Sequence, residues 1–270
     1  QLERIGFEPR LPKIYGRAVA CTDHQFCNYS VAETKGKLKD IVPELERRFG
    51  AAGVEDLRIH MDGCPHACAQ HWVGDIGLQG TTATDPATGR RVEAYNLRLR
   101  GRLGADAAIG VPLLRRIPAS EVTEVVCRLV EAWLKARADA GSPLPFGEFL
   151  AARSDDELRC LAAGGGDAGR VGENEAPVRR PVVRVPGMLL ETTGGADVVE
   201  VDARTVREVL AALAARHPDL TARVLDAEGR VVPSVNLFVG DEEIGALQGL
   251  DTPVAPGQEV TILPALSGGA

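Results

Sequence analysis

Asp62-Gly-Cys-Pro-His-Ala-Cys-Ala-Gln70 sets two cysteines on one short loop, with three residues between them. Upstream, Ala20-Cys-Thr-Asp-His-Gln-Phe-Cys-Asn28 sets two more, with five between them. Gly63 and Pro65 allow a tight turn, so Cys64 and Cys68 can address one centre. Two separated pairs of soft thiolates can supply the four ligands of an iron–sulfur cubane. Tetrahedral zinc is the rival, because four cysteines also satisfy it and His24, His60, His66 and His71 lie close in sequence. Structural zinc pairs usually stand two to four residues apart, and the first pair here is wider. The bland alternative is four free thiols. Cys127 borders a helical stripe and Cys160 lies near a change in composition, so neither is expected to ligate.

Composition narrows the surroundings of these cysteines. The chain has 270 residues, enough for two ordinary domains, and 44% are hydrophobic. Aromatics are only 4%, so the cores must be mostly Val, Leu, Ile and Ala. A net charge of −7 gives no basic surface for nucleic acid or anionic membrane. No apolar run approaches a spanning helix. The N-terminal residues lack the order of a signal peptide, so a reducing, cytoplasmic setting is expected. There, clustered cysteines bind metal more often than they form disulfides. Because the sequence starts at Gln1, further sequence is expected upstream.

Residues 1–153 alternate short apolar runs with helical patterns. Leu38, Ile41, Val42, Leu45 and Phe49 follow helical spacing, with Pro43 expected to bend or divide the segment. Val122, Val125, Val126, Leu129, Val130, Trp133 and Leu134 form a wide apolar stripe behind a candidate N-cap at Ser120. Gly141-Ser-Pro143 should stop that helix. Residues 154–179, rich in Gly, Asp and Glu, read as a flexible linker. From 180 onward, Val182–Val185 and Asp197–Asp202 read as strands joined through a turn at Gly194-Gly195. Thr205 and Glu208 stand in capping-box spacing ahead of a helix carrying Val206, Val209, Leu210 and Leu213 and ended by Pro218. Val235–Val239 and Val260–Ile262 supply later strands, so this part is a small α+β sheet with one covering helix.

Taken together, Ala20-Cys-x5-Cys27, Ala32-Glu-Thr-Lys35, Gly63-Cys-Pro-x-x-Cys68, Gly74-Asp-Ile-Gly-Leu-Gln-Gly80 and Gly101-Arg-Leu-Gly104 resemble the [4Fe-4S]/sirohaem domain of assimilatory sulfite and nitrite reductases. By that resemblance Cys21, Cys27, Cys64 and Cys68 would ligate a [4Fe-4S] cluster, and Cys68 would bridge to the sirohaem iron. Gly63, Gly74 and Gly77 would let backbone approach the macrocycle. Sirohaem carries many carboxylates, which makes Arg98, Arg100 and Arg102 candidates to bind it. Arg98 and Arg100 alternate with Leu97 and Leu99, as side chains on one strand face do; a solvated arginine face is the competing reading. His66 stands where the family often has Asn. The family's enzymes have two pseudo-symmetric halves, and only one is legible here, so this chain would need the other half from upstream or from a partner.

The second part resembles the ubiquitin-like sulfur carriers of the molybdopterin and thiamine pathways. The matching features are Val235-Asn-Leu-Phe-Val239, and Val260-Thr-Ile-Leu-Pro264 ahead of Gly268-Gly269. Such carriers are adenylated at a terminal glycine and converted to a thiocarboxylate. Gly269 would be that residue after a peptidase removes Ala270, with an adenylating, sulfur-transferring enzyme as partner. A frayed glycine tail is the alternative.

The fold expected is therefore α+β: a sulfite/nitrite reductase iron–sulfur/sirohaem domain over 1–153, a linker over 154–179, and a ubiquitin-like β-grasp carrier over 180–270. The function expected is sulfite reduction with a ferredoxin-type electron donor, the sulfide being captured on the carrier. Nitrite reduction with an appended carrier domain, and a non-catalytic carrier with a metal-binding docking module, are the alternatives.

Overall fold

The computed structural model describes residues 3–5, 13–85, 87–164, 180–240 and 242–264. The chain divides into two units, Gln1–Asn174 and Glu175–Ala270.

In the first unit α1 (Lys13–Arg17) leads into β1 (Ala18–Ala20), α2 (Lys35–Phe49), α3 (Ala51–Val54) and β2 (Ile59–Asp62). Then come β3 (Ile76–Thr84), β4 (Arg91–Leu99), β5 (Val111–Pro118), α4 (Val122–Ala140), α5 (Phe146–Ala151) and α6 (Asp155–Ala163). The five strands lie in sequence order in one sheet. β1, β2 and β3 run parallel, and β3, β4 and β5 continue as an antiparallel meander. Ile59, Met61, Ile76, Leu78, Leu97 and Leu99 share one core with Leu38, Ile41, Val42 and Leu45 of α2 and the stripe of α4.

Two local expectations change here. α2 runs unbroken through Pro43. Pro43 and Lys39 are both exposed, so the carbonyl that loses its intrahelical donor faces the solvent side. α4 starts one residue beyond Glu121 with no side-chain cap, so Ser120 is not its N-cap; Gly141 ends it in the left-handed conformation.

A larger correction concerns residues 154–164, which composition assigned to the linker. They form α6, opened by a complete capping box in which Ser154 and Glu157 satisfy each other's backbone N–H groups. Leu158 and Ala162 are buried in the first core. Arg159 donates to the Leu113 carbonyl and Arg128 to that of Ala162. Two apolar side chains one turn apart suffice to anchor an otherwise polar helix. The remainder of the expected linker, 165–179, lies outside the described residues.

The second unit contains β6 (Val182–Arg184), β7 (Val198–Glu200), α7 (Val206–Arg216), α8 (Pro218–Val224), β8 (Val235–Val239), β9 (Glu242–Glu243) and β10 (Glu259–Pro264). The sheet order is β7-β6-β10-β8-β9, with β6 and β10 parallel and every other pair antiparallel. A last strand inserted between two hairpins, under a helix bearing Val206, Val209, Leu210 and Leu213, is the ubiquitin-like β-grasp arrangement. Thr205 caps α7 through the Glu208 N–H, while Glu208 returns its bond to Arg204 rather than to Thr205. Between β6 and β7 the chain makes a 3-10 segment, Gly187–Thr193, before Gly194 and Gly195, both at positive φ. Pro218, expected only to stop α7, also opens α8, whose Leu220 and Val224 are buried; proline is well suited to a first helical position. No described helix is long and apolar enough to cross a membrane.

Candidate functional site

β1 and β2 are parallel neighbours, pairing Ala20 with Met61, so the loops that follow them leave the same sheet edge together. This register places Cys21 beside Gly63. The Cys21 N–H donates to the Met61 carbonyl at 3.0 Å, and the Gly63 N–H donates to Cys21 Sγ at 3.3 Å. Val31 N–H closes the loops onto each other through the Gly63 carbonyl at 2.8 Å. Thr34, fully buried, donates its hydroxyl to the Cys21 carbonyl at 3.0 Å and lies 3.6 Å from its sulfur. Thus Ala32-Glu-Thr-Lys35 acts on the first cysteine by hydrogen bonding, a role its sequence alone did not disclose.

The loop after β2 is held by a residue the sequence reading did not single out. Asp62 is 1% exposed. Its Oδ1 accepts the Ala69 N–H at 2.6 Å, and its Oδ2 accepts the His71 N–H at 3.0 Å and pairs with His71 Nδ1 at 2.9 Å. Those bonds pull the stretch just past Cys68 back onto the strand end. Within the loop Ala67 and Gln70 both take positive φ, which a non-glycine residue adopts only when its surroundings hold it there. His60 Nδ1 meets the Gln70 carbonyl at 3.1 Å. The signal was available: an aspartate directly before Gly63-Cys64 and a histidine three residues past Cys68. Only the turn brings them together.

The glycines expected to admit the macrocycle have another use. Ile76 and Leu78 face the helical core, so Gly77 faces the opposite side of β3. A Cβ there would stand 1.9 Å from the His71 carbonyl oxygen, and one at Gly80 would stand 2.6 Å from the Gly63 carbonyl. Gly63 and Gly74 likewise approach Ser30 and the Ile76 carbonyl. These glycines seat the cysteine loop against the sheet, backbone on backbone.

Cys64 is buried, Cys68 is exposed, and Cys21 and Cys27 are intermediate. Burial, then the neighbouring Cys27, Cys68 and Cys21, push the Cys64 thiol up to about 12. Burial, then the Asp62 carboxylate, then Cys21 and Cys27, raise Cys68. Cys64 and Cys68 therefore lie within electrostatic reach of Cys21 and Cys27, and a cationic centre at these loops would favour the thiolates instead. Among the described residues, no group of three or more His, Cys, Asp or Glu converges as a single metal ion requires. A zinc ion, with Zn–S bonds of about 2.3 Å, draws all its ligands to one point. Thiol donors carried on two facing loops are of the soft class that an iron–sulfur cluster takes.

The arginines do not behave as one strand face. β4 ends at Leu99, and Arg100 takes φ 70°, turning it out of the alternation. Arg98 is buried and donates to the Gly110 carbonyl at 2.7 Å. Arg100 pairs with Asp155 and donates to the Arg153 carbonyl at 2.8 Å, tying down the start of α6. Arg102 bridges Ala108 through backbone and lines a cavity of about 1000 Å³ with Arg17, Arg58, Trp133 and Glu148. Arg17 and Arg58 precede β1 and β2, so that cavity opens at the end of the sheet away from the cysteines. His24 lies 3.9 Å from Glu93, and Cys127 and Cys160 stand apart on α4 and α6. Gly269 and Ala270 lie outside the described residues; β10, which leads toward them, is the middle strand of its sheet.

Residues 183–269 match the ThiS family. The first part is similar to Sulfite reductase (ferredoxin) 1 of Mycolicibacterium paratuberculosis, 30% identical over 162 residues that make up 58% of this chain and 28% of that protein. It is also similar to Ferredoxin–nitrite reductase of Leptolyngbya laminosa, 33% identical over 136 residues, 50% of this chain and 26% of that protein. In three dimensions it is similar to the Mycobacterium tuberculosis NirA protein, with a TM-score of 0.51 at 29% identity, over 58% of this chain and 29% of that one. The chain thus joins a region similar to sulfite and nitrite reductases to a ThiS family domain, and spans 28% of the length of the curated sulfite reductase it matches.

Proposed function

We propose that this chain is the iron–sulfur part of a sirohaem- and [4Fe-4S]-dependent sulfite reductase that hands its sulfide to its own carrier domain. The observation that carries this reading is the covalent union of a sulfite/nitrite reductase-like region with a ThiS family domain. Tethering raises the effective concentration of the acceptor near the source of sulfide. Nitrite reduction yields no sulfur to carry.

In this reading Cys21, Cys27, Cys64 and Cys68 would hold the cluster, and Cys68, the exposed thiol, would be the one that faces the sirohaem. The pair of cofactors would supply electron transfer to the bound oxyanion. The protein's own part is to hold four thiolates on two loops fixed to one sheet edge, with Thr34 and Asp62 bracing them. Arg98 and Arg100 already have partners within the unit, and Arg102 opens to the far cavity. Anchoring of sirohaem's carboxylates therefore falls chiefly to the reductase half not contained in this chain. Electrons would come from a reduced iron–sulfur protein of the ferredoxin class, the donor in the names of both relatives.

On the carrier, a separate enzyme would use ATP to adenylate the Gly269 carboxylate once a peptidase has removed Ala270. Sulfide would then attack the acyl carbon, forming the C–S bond as AMP departs. A second reading, nitrite reduction with the carrier as an appendage, is favoured by the 33% identity to the nitrite reductase. One experiment separates them: the chain, joined to its other reductase half and loaded anaerobically, is given each oxyanion with a reduced donor. Sulfite turnover, with an oxygen of Gly269 replaced by sulfur in the intact mass once ATP and the activating enzyme are added, supports the first reading. Turnover of nitrite alone overturns it.

A further inference from the structure

We propose that Asp62 is a positioning and redox-tuning residue: its buried carboxylate clamps the loop bearing Cys64 and Cys68 and holds the cluster at a more negative reduction potential. This rests on the cluster reading above and goes beyond it, because neither the ligand set nor the similarity to reductases assigns any role to Asp62 or His71.

Asp62 ends β2 two residues before Cys64, and its Oδ1 takes the N–H of Ala69, the residue that follows Cys68, at 2.6 Å. One carboxylate therefore spans both ligands of the loop. Its Oδ2 takes the backbone N–H and the ring Nδ1 of His71, at 3.0 and 2.9 Å. Both side chains are 1% exposed, so water does not screen the charge. Facing a carboxylate acceptor, Nδ1 is the donor of that pair, while Nε2 is buried without a hydrogen-bond partner. The carboxylate is thus met by three N–H donors, and no arginine or lysine pairs with it among the described residues. A carboxylate braced this close to the loop that would carry the cluster opposes the arrival of an electron there, since cluster potentials follow local charge and hydrogen bonding.

The test uses the full 270-residue chain, reconstituted anaerobically with iron and sulfide, in wild-type, Asp62→Asn and His71→Asn forms. Three quantities are read: bound iron with acid-labile sulfide, the midpoint potential followed by the reduced-cluster paramagnetic signal, and the rate at which a chelator strips iron. Wild type that takes up no cluster fails the reading above, independently of any variant. With the wild type loaded, Asp62→Asn should keep its cluster, shift the midpoint to a more positive value, and lose iron several-fold faster. An Asp62→Asn protein with unchanged midpoint and unchanged stripping rate overturns the proposal. If Asp62→Asn takes up no cluster at all, His71→Asn decides, because it keeps the carboxylate and an amide donor. A His71→Asn protein with wild-type iron and midpoint supports the carboxylate as the clamp. Equal loss in both variants overturns a specific role for Asp62.

Discussion

Each unit sets a carboxylate against its sheet, Asp62 fully buried and Glu259 partly buried, but the two carboxylates do different work. In the first unit Asp62 accepts N–H groups from irregular backbone just past Cys68. In the second, Glu259 receives the Arg184 guanidinium through both oxygens, at 2.7 and 2.8 Å, across β6 and β10, which are already laddered together. Asp62 shapes a loop that no ladder could shape; Glu259 cross-links a central strand that already has its hydrogen bonds. A site made of loops needs buried polar atoms to fix it, whereas a site carried beyond a strand needs only a firm strand behind it. The first should therefore fail locally and the second globally.

The sharpest challenge to that contrast is Gly77→Ala. The added methyl meets the His71 carbonyl, a backbone atom that cannot rotate away. We expect a loss above about 4 kcal/mol, at the upper end for single substitutions, with no cluster uptake and near-native amide protection in 180–264. Protection lost equally in both units would break the comparison. Tryptophan fluorescence is a convenient reporter, because Trp72 and Trp133 both lie in the first unit.

Alkali should divide the units next. Residues 175–270 contain no Cys, Tyr or Lys. The buried Cys64 thiol of the cluster-free protein is pushed up to about 12 from 9.0, and burial also pushes Cys127 up to about 11. A folded value above the unfolded one means the native state holds the extra proton. Its contribution is complete below about pH 9 and is lost as pH rises toward 12. For Cys64 alone this reaches up to about 4 kcal/mol. Segment-resolved hydrogen exchange at stepped alkaline pH should show the first unit loosening while the second holds.

Arg184→Met tests the other side. It removes the buried guanidinium that partly buried Glu259 receives, at a cost of about 2 kcal/mol to the second unit, and should leave cluster uptake unchanged. The smallest effect, about 1 kcal/mol, is expected from Ser154→Ala, which removes the capping side chain of α6; earlier fraying of residues 154–164 is the readout. No change there would mean that Leu158, Ala162 and the Arg100–Asp155 pair hold the helix without its cap.

Much of this was readable in advance because it depends on period and spacing. Leu38, Ile41, Val42 and Leu45 declare a helix through their repeat, and Val206 to Leu213 declare another. The α6 segment was misread because composition averages over a window, while two buried side chains and a capping serine decide the outcome. Arg98 and Arg100 were misread because alternation was carried one residue too far: the strand stops at Leu99, and nothing in Leu-Arg-Leu-Arg marks that stop. The cysteine pairs were plain as pairs. The residues bracing them, Thr34 and Asp62, were not, since a threonine or aspartate gains such a role only from what it faces.

The sequence by itself marked the two cysteine pairs and, in the second part, the strands β6, β7, β8 and β10 with helix α7, though not α8 or β9, because local periodicity and ligand spacing are written along the chain. Tertiary structure alone decided that β1 and β2 stand side by side, that Gly77 and Gly80 each lie against a backbone carbonyl, and that Asp62 reaches around to Ala69 and His71. Those outcomes depend on which strand neighbours which and on contacts a few ångströms long between residues distant in sequence. Such contacts form only once burial of the apolar core has fixed the sheet.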